Sequence, residues 1–229
     1  MRALRLNRIA SGIVFCLLTF LLSARALQNV HPVTGRPIAP VMGVAGADWL
    51  DRSEREKEEN PEGALDAIGI RPGMIVADIG AGTGYMSLRM AKRVGPNGKV
   101  YANDIQPEML RRLRQNADKA KVKNIDTVLG SDVDPKLPAG QLDLVLLVDV
   151  YHELSQPQKM LRKIRESLKP SGRLVLLEYR KEDPSIPIIT VHKMTVEEVR
   201  KELGAEHFVF AEVIESLPRQ HILIFNRGT

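Results

Sequence analysis

Three glycines and one acid carry the first chemical signal. Gly80, Gly82 and Gly84 stand in the stretch Val76 to Tyr85, and Asp104 ends the next apolar segment, which starts at Val100. Glycines so spaced let a backbone take positive φ and approach a ligand without a Cβ, the third suiting close contact where a helix begins. A carboxylate about 20 residues further on is placed to accept both hydroxyls of a ribose. The chemistry indicated is recognition of a ribose-bearing ligand at the ends of two successive strands. Gly80-Ala81-Gly82-Thr83-Gly84 reads GxGxG, not the GxGxxG of dinucleotide sites, which counts against NAD. The chain has no GxxxxGK[ST] phosphate loop and no GxSxG elbow, which disfavours phosphoryl transfer and serine hydrolysis.

A second group follows the apolar run Leu142 to Val148: Asp149, Val150, Tyr151, His152 and Glu153. A continuous apolar run suits a central parallel strand covered on both faces, and ligands collect at the carboxyl edge of such strands. There His152 can exchange a proton near neutrality, and Glu153 can orient it or a substrate amine. The same two residues can equally cap or pack against the helix that follows. Tyr179, after the fifth strand, and His192, on the next loop, are further candidates for an acceptor pocket. His31, His152, His192 and His221 raise the question of a metal, but HxH and HxxxH spacings are missing and the one cysteine, Cys16, lies far away. Scattered, hydrogen-bonded histidines are the expectation, and no metal site is assigned.

Strands are expected at Met74 to Ile79, Lys99 to Asn103, Asn124 to Leu129, Leu142 to Val148 and Arg173 to Tyr179, alternating with helices at Tyr85 to Arg93, Pro107 to Ala120 and Pro157 to Leu168. A helix at Thr195 to Leu203 precedes two last strands, Phe208 to Ile214 and His221 to Phe225, around a Leu217-Pro218-Arg219 turn. Upstream, residues 27–48 carry Pro32, Pro37 and Pro40 and suit a linker or surface strap; Asp48 to Asn60 reads as one charged helix and Glu62 to Ile68 as a short one. These helices could cover the ligand opening.

Asp78 to Gly84 together with Asp104 resemble the first two motifs of the class I S-adenosylmethionine-dependent methyltransferases. The likeness continues through Gly130-Ser131-Asp132, Leu142 to His152 and Leu168 to Leu174, covering roughly Gly63 to Phe225. It implies a doubly wound, mostly parallel seven-stranded α/β sheet, the Rossmann-like methyltransferase fold, with a C-terminal antiparallel hairpin. It implies S-adenosylmethionine as cofactor, with Asp78, Gly80, Gly82 and Gly84 around the methionine part and Asp104 on the ribose. Asp132 either accepts from the adenine amino group or forms an Asx turn. Asp149 joins the cofactor group at the edge expected to face the sulfonium. Implied too is methyl transfer to a small-molecule acceptor, with His152, Glu153 and Tyr179 as catalytic candidates. A noncatalytic nucleoside- or cofactor-binding module is the other reading. Val148 to Leu154 and Leu168 to Leu177 are similar to enzymes that methylate quinones and other small metabolites, which leaves the acceptor atom open.

The amino-terminal end suggests a location. Arg2, Arg5 and Arg8 precede the apolar run Ile9 to Leu22, and Ala24-Arg25-Ala26 places small residues where signal peptidase cuts. The run is short for a membrane span of about 20 residues. The expected organisation is a signal peptide at 1–26, an extension with its charged helix at 27–60 and the catalytic domain at 61–229, in the periplasm or secreted; an uncleaved membrane anchor is the alternative. Removing residues 1–26 takes away four arginines and no acid, so the formal charge falls from +5 to +1. A nearly neutral product is not expected to bind nucleic acid, which relies on concentrated positive charge.

Overall fold

The computed structural model describes residues 30–228, so the expected signal peptide lies outside the described residues. Strands β1 (Ile75–Ile79), β2 (Lys99–Asp104), β3 (Ile125–Leu129), β4 (Leu142–Val148), β5 (Leu168–Tyr179), β6 (Phe208–Ile214) and β7 (Gln220–Arg227) form one seven-stranded sheet in the order β3-β2-β1-β4-β5-β7-β6. All neighbours pair in parallel except β7, which runs antiparallel to β5 and to β6. The C-terminal hairpin is therefore present, with its second strand inserted against β5.

Seven α-helices accompany the sheet among the described residues: α1 (Ala47–Leu50), α2 (Arg55–Glu59), α3 (Pro61–Ala67), α4 (Tyr85–Val94), α5 (Pro107–Lys119), α6 (Pro157–Ser167) and α7 (Val196–Gly204). Successive side chains of a strand point to opposite faces. Ala77, Val145, Leu147, Leu174 and Leu176 accordingly pack with Leu161, Ile164 and Leu203 on one face, while Val76, Leu144, Leu146 and Val175 meet Leu65, Ile68 and Met90 on the other. Both faces are covered, which is why β4 reads as an unbroken apolar run. No helix among the described residues is long and apolar enough to cross a membrane.

Two boundaries differ from the sequence reading. The expected single helix from Asp48 to Asn60 is two short helices, α1 and α2, because Asp51 leaves the helical path to accept a 2.6 Å hydrogen bond from the Thr83 hydroxyl. Strand β5 begins at Leu168, which pairs with Leu142 before the register shifts. A Cβ on Gly172 would stand 2.7 Å from the Leu142 carbonyl oxygen, so only glycine permits that close passage.

The strand order reverses between β1 and β4, the topological switch point where open α/β sheets bind ligands. Their register, Asp78 opposite Leu146 and Ile79 opposite Leu147, brings the glycine turn beside the Asp149 loop. The N-terminal strap crosses the same edge. Its Ala39 amide and Arg36 guanidinium both donate to the His152 carbonyl, at 3.0 and 3.2 Å.

Candidate active site

The glycine turn is held open by backbone conformation and closed by an acid. Gly80 has φ +70°, Gly82 +54° and Gly84 +93°, a region costly for residues with a Cβ. A Cβ at Gly80 would stand 2.4 Å from Val150 Cγ2, and one at Gly84 2.8 Å from Leu113 Cγ. Asp104 fixes the turn: its Oδ2 accepts the Gly82 amide at 3.0 Å and its Oδ1 the Gln106 amide at 2.8 Å. A carboxylate offers about four lone-pair sites, so two bonds leave acceptor capacity on the cleft wall that Asp104 lines. Burial raises the Asp104 pKa, opposed by these backbone donors.

Asp78 lies beneath the turn, 2 % exposed, and accepts the Ser87 hydroxyl at 2.5 Å. Burial pushes its pKa up to about 6, with the Ser87 hydrogen bond and the Arg55 charge pulling the other way. Past β3, Asp132 lines the cleft beside Ser131. The turn there is made by its neighbours: Ser131 Oγ accepts the Val133 and Asp134 amides at 3.4 and 3.1 Å, and Asp134 accepts the Lys136 amide at 2.7 Å. The Asx turn thus belongs to Asp134, leaving Asp132 to the cleft.

On the other side of the switch point Asp149 adopts φ +54°. Its Oδ2 accepts from Gln220 Nε2 at 2.7 Å, whereas its Oδ1 is buried without a partner. Burial, then the Glu59 and Glu178 charges, hold its carboxyl well above the usual carboxylate range against the pull of Arg55. Glu153 also lines the cleft; burial raises its pKa to about 7, with His152 and the Met42 amide opposing.

His152 is placed differently from the expectation. It is 2 % exposed and does not line the cleft; its Nδ1 lies 2.6 Å from Glu178 Oε2 and its Nε2 2.9 Å from His192 Nδ1. Glu178 is fully buried and also accepts the Tyr151 amide at 2.9 Å. Tyr179 is a correction. It was a candidate for the acceptor pocket, but it lies away from the cleft wall with its hydroxyl donating to Glu59 Oε1 at 2.9 Å, because alternation along β5 turns it from the face that Glu178 occupies. Of the four histidines considered, His152 and His192 converge; His31 packs against Tyr151 and Glu202, and His221 between Glu215 and Glu182.

Asp78, Gly80, Gly82, Asp104, Asp132, Asp149 and Glu153 face one cleft, about 1140 Å³ including its open mouth, which runs from Asp132 and Asp104 past the glycine turn to Asp149 and Glu153. Val41, Met42, Trp49 and Leu50 of the strap and α1 form its cover. Sequence reasoning missed Glu178, although an acid ending the apolar run Leu174 to Leu177 repeats the pattern that marks Asp104 and Asp149. It also missed Arg55 and Gln220, for which no local signal exists: both act through contacts with residues distant in sequence.

Residues 70–222 match the family described as a methyltransferase domain. The chain belongs to that family. Over 119 residues it is 34 % identical to the ubiquinone/menaquinone biosynthesis C-methyltransferase UbiE of Hydrogenovibrio crunogenus, covering 52 % of this chain and 47 % of that protein. Over 111 residues it is 30 % identical to the protein-L-isoaspartate O-methyltransferase of Methanothrix thermoacetophila, covering 48 % and 50 %. The chain spans about half the length of these curated relatives. The crystal structure of a SAM-dependent methyltransferase from Aquifex aeolicus superposes with a TM-score of 0.78 at 26 % identity, over 82 % of this chain and all of that one.

S-adenosylmethionine is the cofactor of this methyltransferase, and the cleft fits it on independent grounds. Gly80 and Gly82 line the cleft at positive φ, where the lack of a Cβ leaves the backbone open to close approach by a ligand. Asp104 offers acceptors for vicinal hydroxyls, and the partnerless Asp149 Oδ1 is suited to a cationic donor.

Proposed function

We propose that this methyltransferase transfers a methyl group to a small-molecule acceptor bound beside Asp149 and Glu153. One observation carries the reading: the Asp104 end and the Asp149–Glu153 end share a single cleft beneath the strap. Bound S-adenosylmethionine supplies a methyl carbon made electrophilic by its sulfonium. The protein's part is then alignment and exclusion of water, which for an already nucleophilic acceptor is sufficient in principle.

Asp104 accepts from the ribose hydroxyls, Asp132 stands at the adenine end, and the glycine turn over Asp78 admits the methionine part. Asp149 Oδ1 receives the ammonium, whose charge offsets the burial that otherwise disfavours the carboxylate. Glu153 is the acceptor-side group that reaches the cleft, and His152, held between Glu178 and His192, is a positioning residue behind it. Val41, Met42, Trp49 and Leu50 keep water from the reacting end.

The UbiE relative, a quinone-biosynthesis C-methyltransferase, supports a small-molecule acceptor methylated at carbon, and the isoaspartate relative supports an oxygen acceptor. Incubation with a panel of small acceptors, reading S-adenosylhomocysteine against a no-acceptor control, tests the proposal. Release above that control supports it. Tight cofactor binding with no release across quinols, phenols, amines and thiols would favour a noncatalytic binding module.

We also propose that the chain is exported and cut after Ala26. The basic start, the apolar run and Ala24-Arg25-Ala26 support this. Amino-terminal sequencing of the protein from its host should give Leu27; intact Met1 in a soluble cytosolic fraction would reject it.

A further inference from the structure

We propose that His152, His192 and Glu153 bind one divalent transition-metal ion of the zinc class at the acceptor end of the cleft. The three ligand atoms come from two 3-10 turns on the carboxyl edge of the sheet, Tyr151–Glu153 after β4 and Thr190–His192 after β5. His152 Nε2 and His192 Nδ1 are 2.9 Å apart, and Glu153 Oε1 lies 4.0 Å from the first and 3.7 Å from the second. Ligands about 2.0–2.1 Å from a tetrahedral zinc ion lie ~3.3 Å from one another. The triangle's edges bracket that value, so a small rotation of His192, which is partly exposed, completes the geometry.

The surroundings match what a metal-bound imidazole needs. A ligating histidine usually donates its second ring N–H to a carboxylate, which fixes the tautomer and aims the free nitrogen at the ion. Glu178 does this for His152 at 2.6 Å and is itself anchored by the Tyr151 amide. His152 Nε2 is thereby left as the lone-pair nitrogen, pointing at the triangle. A hydrogen-bonded pair of imidazoles needs no third group. Here Glu153 stands beyond hydrogen-bond distance of both rings yet closes the third corner. No other three His, Cys, Asp or Glu side chains among the described residues bring ligand atoms so close together.

The donor set chooses the ion. Two imidazoles and one carboxylate suit zinc and its transition-metal neighbours, whereas magnesium and calcium prefer all-oxygen shells. Three protein ligands leave a coordination position open, as in catalytic zinc sites. Glu153, unlike His152 and His192, lines the cleft, so the site adjoins its acceptor end.

The test reads binding, and so stands apart from whether methyl transfer is found. Tag-free full-length protein, stripped with chelator and dialysed, is titrated with Zn²⁺ and with Mg²⁺ by calorimetry, and with Co²⁺ by visible absorption. One Zn²⁺ per chain is expected, with a tetrahedral or five-coordinate cobalt spectrum and no comparable Mg²⁺ binding. His192→Ala, at a partly exposed position, and Glu153→Gln should each weaken Zn²⁺ binding by at least tenfold. Glu178→Gln, which removes the partner of His152 Nδ1, should weaken it by about 10–100-fold. His221→Ala, in a separate histidine cluster, should leave it unchanged. Absence of Zn²⁺ binding by the folded protein, binding that survives both ligand substitutions, or Mg²⁺ bound as tightly would overturn the proposal.

Discussion

Gly80→Ala separates two costs that the glycine turn avoids. At φ +70° an added Cβ places the residue in the left-handed region, worth about 1–2 kcal/mol. The same Cβ would meet Val150 Cγ2 at 2.4 Å and Cγ1 at 2.8 Å, and overpacking of this kind costs about 1–3 kcal/mol. Together the substitution should destabilise by about 2–5 kcal/mol. Val150→Ala removes both methyl groups that clash and leaves only the Val150 Cβ at 3.2 Å, so in the double variant most of the steric part should be relieved and the backbone part remain. The cycle should therefore show a favourable coupling of about 1–3 kcal/mol, read by urea unfolding of the wild type, the two single variants and the double variant. Calorimetric affinity for S-adenosylhomocysteine should follow the same order, because Val150 is next to Asp149 and the clash must displace one wall of the cleft. Coupling smaller than about 0.5 kcal/mol would show that the turn and the β4 loop do not touch as described, and the reasoning would fail.

Asp104→Ala should weaken S-adenosylmethionine and S-adenosylhomocysteine alike by at least about tenfold, since one charged hydrogen bond is worth about 1.5–3 kcal/mol; unchanged calorimetric affinity in a folded variant would remove Asp104 from the ribose site. Asp78 predicts a pH effect whose sign follows from its raised pKa: its contribution is fully present below its ordinary value of 3.8 and is lost as pH rises through about 6. Asp78→Asn should then gain on the wild type by up to about 3 kcal/mol between pH 4 and pH 7 in urea unfolding, and a pH-independent difference would count against it. Glu202→Gln breaks a buried pair in which Arg36 Nε and Nη2 reach the carboxylate at 2.9 and 3.0 Å, and should cost about 3–5 kcal/mol in the same assay. A loss under 1 kcal/mol would mean the strap is not anchored there.

The parts legible from sequence are those whose signal is local. Gly80, Gly82, Gly84 and Asp104 declare themselves because a glycine turn and a strand-end acid are physical necessities of one short segment. The apolar runs of β1, β4 and β5 are equally direct, since burial on both faces removes polar residues from the whole run. Tyr179 failed for the complementary reason. Its place at a strand end was readable, but which of Glu178 and Tyr179 turns toward the His152 loop depends on the phase of a two-residue alternation. The break between α1 and α2 was hidden because the partner of Asp51 is Thr83, 32 residues away. Convergence of His152 with His192 was hidden in the same way, across 40 residues that hold α6 and β5 between them.

The strap explains why the acceptor side is built from distant pieces. Arg36 is held to α7 by Glu202 and to the β4 loop by the His152 carbonyl, which also accepts from Ala39. Six residues beyond Arg36, the Met42 carbonyl accepts from Gln106, whose own amide is bound by Asp104. Asp104, the cover of the cleft and the turn carrying His152 and Glu153 are thus joined by a short series of hydrogen bonds through the strap. A buried ion pair is a costly way to gain stability, since its desolvation offsets most of its attraction, but it is selective about geometry. Here Arg36 and Glu202 hold a segment of little regular structure against the β4 loop that carries His152 and Glu153. In the proposed function, cofactor recognition relies on the glycine turn and Asp104 within the sheet, whereas the cover of the acceptor end depends on a strap anchored to α7, on the opposite side of β4. Substitutions at the Arg36–Glu202 anchor should therefore alter acceptor use before they alter donor affinity.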